Sequence, residues 1–129
     1  MRGKLLAVTA LAVGSALSLV GSTTAAVGAG GGAASHVTIR AQGTDLSGTV
    51  KSPAPQRCAA GRNVIVFKQI GSKGGGDDIN FASDIAQANG NGYEWNTGNT
   101  GTPGKFYAKV RAIQGCQGDT SPTVRARRN

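Results

Sequence analysis

The sequence predicts an all-β chain: a single β-sandwich of about seven short strands, preceded by a signal peptide. Three observations point there. Apolar residues recur at every second position in several short runs, Gly, Pro and Asn-Gly punctuation separates the runs, and no stretch repeats its apolar residues at helical spacing. With 129 residues the chain has room for one domain, since a domain takes roughly 100 to 200 residues. That length excludes a multi-domain enzyme.

Arg2 and Lys4 give a positive start, Leu5 to Val20 an apolar run, and Gly21 to Gly32 a stretch of mostly small residues. This order of features is that of a secretory signal peptide. Thr24-Ala25-Ala26 and Val27-Gly28-Ala29 both fit a cleavage site, and the second is preferred. Residues 1–29 are therefore expected to be the signal peptide, 30–35 a flexible Gly/Ala linker, 36–125 the sandwich and 126–129 a basic tail. The apolar run falls short of the roughly 20 residues a membrane-spanning helix needs. After cleavage the chain is expected to be secreted and extracellular, with no membrane contact.

The elements follow in order. Val37, Ile39 and Ala41 alternate with Thr38, Arg40 and Gln42, the period of a half-buried strand. Leu46, Gly48 and Val50 continue the alternation after the break at Gly43-Thr44-Asp45. Pro53 and Pro55 make Ser52 to Gly61 a loop, because proline cannot donate to a sheet ladder. Asn63 to Ile70 holds the densest apolar run, Val64-Ile65-Val66-Phe67, and reads as a central strand. Gly71 to Gly76 is a loop, and Ile79, Phe81 and Ile85 mark another strand. Asn89-Gly90-Asn91-Gly92 is a turn, since Asn and Gly tolerate positive φ. Tyr93 and Trp95 leave it on one side of a strand with Glu94 opposite. After a turn over Thr97 to Gly104, Phe106, Ala108, Val110 and Ala112 alternate with Tyr107, Lys109 and Arg111, and a last strand surrounds Thr123 and Val124.

The expected core is Val37, Ile39, Leu46, Val50, Val64, Val66, Phe81, Trp95, Phe106, Ala108 and Val110. With Phe106 inward, Tyr107 must point outward, making an exposed aromatic and basic stripe with Lys109 and Arg111. Cys58 and Cys116 are the only cysteines, and in an exported chain such a pair reads as one disulfide. They fall at the same end of the sandwich if the strands beside them run antiparallel. Two thiols and one distant His36 do not make the four ligands of a structural zinc.

Asp45-Leu46-Ser47-Gly48-Thr49-Val50, Val64-Ile65-Val66-Phe67, Asp84 with Asn89-Gly90-Asn91-Gly92-Tyr93, and Gly104-Lys105-Phe106-Tyr107-Ala108-Lys109-Val110 follow one another in this order. Together they resemble the successive strands of the transthyretin-like, or carboxypeptidase regulatory-like, β-sandwich. The resemblance covers nearly all of the chain after the leader. It implies a non-catalytic accessory, adhesive or carrier-binding module. The chain departs from the family pattern in its longer stretch from Asp84 to Gly90 and in its cysteine pair.

Few residues suggest chemistry. A secreted hydrolase or ribonuclease would use Glu94 as base, His36 as acid and Arg111 to hold phosphate, three scattered residues with no motif around them. An inhibitor of exported proteases would present the proline-braced segment Ser52 to Arg57. The loop from Gly71 to Asp78 lacks the Gly-Lys-Ser/Thr ending and the following helix of a phosphate cradle. Asp77, Asp78, Asn80 and Asp84 do not have the spacing of a calcium loop. No catalytic residue, metal or cofactor is assigned. Tyr93, Trp95, Phe106 and Tyr107 are the candidates for an aromatic surface for sugars or bases, and of them Tyr107 is the one expected to face out.

Charge gives the remaining direction. Without Arg2 and Lys4 the 14 basic residues become 12 against 6 acidic ones, a net charge of +6. Such a balance favours anionic partners, an acidic cell-wall polymer or glycan among them. Lys109 and Arg111 on the stripe, with Arg125, Arg127 and Arg128 in the tail, are the expected polyanion contacts of what reads as a monomer.

Overall fold

The computed structural model describes residues 32–128. The expected signal peptide lies outside the described residues. Ten strands and one turn of helix follow in order: β1 His36–Val37, β2 Arg40–Gln42, β3 Asp45–Lys51, α1 Pro55–Cys58, β4 Asn63–Lys68, β5 Ile79–Ile85, β6 Gln87–Asn89, β7 Gly92–Asn99, β8 Gly104–Val110, β9 Asp119–Thr120 and β10 Val124–Ala126. They form two antiparallel sheets. The first runs β9-β8-β4-β5, with β10 also on β8, and the second runs β1-β3-β7-β6, with β2 also on β3. The all-β sandwich is as the alternation predicts. No helix among the described residues is long and apolar enough to cross a membrane.

Alternation explains the core. Val37, Leu46, Val50, Val64, Val66, Trp95, Phe106, Ala108 and Val110 are all buried between the sheets, while Ile39 and Phe81 pack against them partly exposed. Ala59, Ala86 and Ala126, small residues that patterning did not single out, complete the core. Strand β4 is central as expected, pairing with β5 on one side and β8 on the other. Phe81 is the extra residue of a bulge, since Val66 pairs with Ala82 and Phe67 with Asn80. The bulge re-aims its side chain inward, where its ring sits 5.0 Å from that of Phe106. The Asn-Gly segment turns as expected: Asn89 pairs with Gly92 across a two-residue connection in which Gly90 has φ 62°.

Four expectations need correction. The turn expected over Thr97 to Gly104 is shorter, because β7 runs on through Asn99, which pairs with Asp45. The segment from Ser52 to Gly61 is not loop throughout, because Pro55 sits in the first turn of α1, where its missing N–H costs nothing. Residues 30–35 are not all linker, since Ala33 donates to Gly115 O and accepts from Gln117 N. Ala126 is not tail: it ends β10 and is buried.

One end of the sandwich is held by two devices. Cys58 and Cys116, 58 residues apart in sequence, have their Cα atoms 5.5 Å apart and their sulfurs at bonding distance. Closing a loop of that length is worth about 4 kcal/mol in the chain-entropy account. Beside it Arg62 is only 3% exposed. Its Nη1 donates to Ser35 Oγ at 2.9 Å and Cys58 O at 2.7 Å, and its Nη2 to Arg111 O and Gln117 O, both at 2.8 Å. Burial lowers its pKa. The guanidinium fork matches several acceptors at once, which an ammonium cannot.

In the second sheet the edge is interrupted at Thr38 and Ile39, between β1 and β2. There Thr38 Oγ1 accepts from Thr49 N at 2.9 Å, and Trp95 Nε1 donates to Thr38 O at 3.1 Å. Gly48 lies beneath, and a Cβ on it would stand 1.9 Å from Thr38 O and 2.8 Å from Trp95 Nε1. Gly48→Ala should therefore cost about 3 kcal/mol in urea denaturation, at the upper end for overpacking. Arg62→Met leaves buried carbonyls without donors and should cost about 3 kcal/mol by the same measurement, with Arg62→Lys recovering only part.

Candidate functional site

The outer face of the first sheet carries the candidate site. Cross-strand partners share a face, and the register pairs Phe67 with Tyr107, Ile65 and Thr120 with Lys109, and Arg125 with Lys105. Lys105, Tyr107 and Lys109 thus alternate along β8 on the side away from Phe106 and Ala108. Arg111 follows just past the strand end, in a cleft that it shares with Ile65. From Lys105 to Arg111 this row spans about 20 Å at the rise of a strand.

Tyr107 points outward as alternation requires, but it is not exposed. Only 5% of its surface meets solvent. The loop before β5 folds back over it. Asp78 Oδ2 accepts from Tyr107 Oη at 2.5 Å and from Gly74 N at 2.8 Å, while Asp78 Oδ1 accepts from Ile70 N at 3.1 Å. Lys73 Nζ lies 5.1 Å from the Tyr107 ring centroid and donates to Ser121 O. Phe67 stacks beside Tyr107 with ring centroids 5.4 Å apart. The glycine-rich segment that superficially suggests a phosphate cradle is a strap over an aromatic pair.

Between the strap and β8 lies a cleft of about 620 Å³, lined by Phe67, Lys73, Asp78, Tyr107, Lys109 and Thr120 with the glycine rim. Its floor is aromatic and its walls carry two ammonium groups. Hydrogen bonding to Tyr107 and to backbone amides lowers the Asp78 pKa. Burial first, and the Asp78 carboxylate second, push Tyr107 up to about 12.

The other expected contacts are divided. Arg125 stands exposed on β10 beside Lys105. Arg127 donates its backbone N–H to Gly43 O. Arg128 turns its guanidinium to Gly101 O, with Nη2 at 3.0 Å, beside Gln42, Thr44, Asp45 and Asn99. The three do not make one free tail. Lys105 joins Lys109 and Arg125 in their place, and its place opposite Arg125 is visible only once the register of β10 on β8 is known.

The groups weighed for other chemistry have separate partners. Glu94 accepts from Asn89 Nδ2 at 2.8 Å, His36 Nδ1 lies 3.7 Å from Asp119 Oδ2, and Arg111 lines the cleft at the disulfide end. Among the described residues no hydrogen bond or ion pair joins any two of them. The Ser52 to Arg57 segment is bent by α1, and Ser52 Oγ donates to Ala34 O at 2.7 Å. It does not form an extended inhibitory loop. Asp84 accepts from Asn96 N at 2.8 Å, and among the described residues no three His, Cys, Asp or Glu side chains come together to hold an ion. Among the described residues the four aromatics do not form one platform, because Trp95 and Phe106 are in the core, Tyr93 packs against it and Tyr107 lies under the strap. Comparison of the sequence with protein-family models and with curated proteins finds no match.

The strap makes a pH prediction. A tyrosine whose folded pKa is raised contributes stability that is present below its ordinary value near 10 and is lost as pH rises toward about 12. In a Tyr93→Phe variant, where Tyr107 is the remaining tyrosine, an ultraviolet absorbance titration should place ionisation at about 12. Adding Asp78→Asn should bring it down.

Proposed function

We propose that the chain is a secreted, non-catalytic module that binds an anionic extracellular polymer, an acidic glycan or wall polymer, along the outer face of the first sheet. The observation that carries this reading is the row of Lys105, Lys109 and Arg125, with Arg111 at its end, in which no cation has a carboxylate within 4 Å among the described residues. Cations on neighbouring strand positions keep their spacing without ordering long loops, so a polymer meets them prearranged. Attraction of this kind is long-ranged and weakened by salt. Asp78, which lines the same cleft as Lys109, is occupied by three donors. The resemblance to transthyretin-like sandwiches supports a binding module in preference to an enzyme.

The test is a salt titration of binding to a carboxylated and a sulfated polysaccharide. Lys105→Gln, Lys109→Gln and Arg125→Gln together should weaken binding at least tenfold at low salt and flatten the log-log salt slope. For a nucleic acid each lost contact lowers that slope by roughly 0.7 to 0.9, and a polysaccharide should change in the same sense. Arg128→Gln should change neither, because that guanidinium is turned to Gly101 O. Equal weakening by Arg128→Gln, or binding indifferent to salt, would reject this face as the site.

A further inference from the structure

The disulfide end holds a second cleft of different chemistry. Its volume is about 450 Å³, within the roughly 300 to 1,000 Å³ range of small-molecule sites. Ala60, Gly61, Ile65, Ala112 and Ile113 give it an aliphatic lining, and Arg57 and Arg111 line it as well. The third arginine, Arg62, is spent on its four oxygen acceptors. Arg57 and Arg111 are exposed, and neither side chain has a hydrogen bond or carboxylate partner among the described residues.

The walls are held in place. Arg57 belongs to α1, one residue before Cys58. Ile113 and Cys116 exchange backbone hydrogen bonds at 2.9 and 3.0 Å around a tight turn. The disulfide joins these two pieces, so the cation on one side and the isoleucine on the other are set by a single crosslink. Gly115 has φ 83°, and a Cβ there would stand 3.2 Å from Arg57 Nε. The turn therefore leaves room for the arginine to lie across it. Ile113 is nonetheless 49% exposed, an apolar side chain held in water beside two unpaired cations.

We propose that this cleft binds an aliphatic carboxylate of the fatty-acid class. The carboxylate sits between Arg57 and Arg111, whose planar forks suit it, and the chain lies along Ile65, Ala112 and Ile113. Besides the guanidinium groups, Asn63 is the one polar side chain in the lining outside Arg62, so a peptide backbone would find few partners there. The cleft shares Arg111 with the polymer face, and the test therefore rests on Arg57 and Ile113, which belong to the cleft alone.

Butanoate, hexanoate and octanoate are titrated into the full mature chain by calorimetry, with an acetylated tetrapeptide ending in Leu as the comparison. Affinity should rise about fourfold for each methylene buried. Arg57→Gln should weaken octanoate at least tenfold, and Ile113→Asn should flatten the dependence on chain length. Both side chains are exposed, so circular dichroism should show both variants folded, and their polysaccharide binding should be unchanged. No chain-length dependence in the wild-type protein, or octanoate binding unaltered by Arg57→Gln, would overturn the proposal. Tighter binding of the peptide than of octanoate would overturn the fatty-acid assignment in favour of a peptide carboxy-terminus. Loss of polysaccharide binding in the Lys105, Lys109 and Arg125 variant leaves the octanoate result untouched, so the two readings fail separately.

Discussion

Arg62 carries a charge into the protein interior, where no carboxylate among the described residues meets it. A buried cation is tolerated only when other groups replace its hydration, and here three backbone carbonyls and a serine hydroxyl do so. Those oxygens come from Ser35, Cys58, Arg111 and Gln117: the segment before β1, the end of α1, the exit of β8 and the stretch leading to β9. Moving any of them leaves a charge or a carbonyl unpaired in a low-dielectric site, so the four segments are expected to shift together or not at all. The disulfide ties two of the same four segments covalently. Its contribution acts largely by restricting the unfolded chain, whereas Arg62 selects how the folded ends meet.

The positions of the main strands and their inward faces are legible because alternation is a local property. Val64 to Phe67 and Phe106 to Val110 could be placed from their own residues alone. What was not legible depended on parts of the chain far away in sequence. Alternation puts Tyr107 on the outer face, yet its cover comes from Asp78 and Lys73, 29 and 34 positions earlier, and no periodicity reports a loop folding back. Arg62 looks like any solvated cation at a strand entrance, because its acceptors are mostly backbone oxygens that every residue carries. Ala126 gives too little apolar signal in an arginine-rich end, although pairing with Gly104 buries it. In each case the missing information was tertiary register.

The two candidate surfaces share this dependence on register. Lys105 and Arg125 become neighbours through the β10–β8 ladder, and Arg57 and Ile113 share a cleft through the disulfide end. Neither grouping has a sequence motif. The strap from Gly71 to Asp78 sits between the ends of the basic row and is pinned by a carboxylate that would otherwise oppose an anion. Its acid is consumed in holding the strap, while Lys109 remains beside the cleft.

Each sheet has one edge formed by two short strands in place of one long one. On the second sheet β1 and β2 are separated at Thr38, whose hydroxyl takes up the amide of Thr49. On the first, β9 and β10 are separated by Ser121, Pro122 and Thr123, and Ser121 Oγ accepts from Ala108 N at 2.8 Å. In both places a side-chain oxygen occupies an inner strand's amide where an unbroken edge would run straight on. An incoming strand from another molecule finds no long, regular row of free backbone groups there, which is how sheet proteins resist joining edge to edge. The seven residues of β5 are the longest edge left, and the bulge at Phe81 breaks their pleat. Among the described residues, β5 is therefore the longest edge from which fibrillar growth could begin.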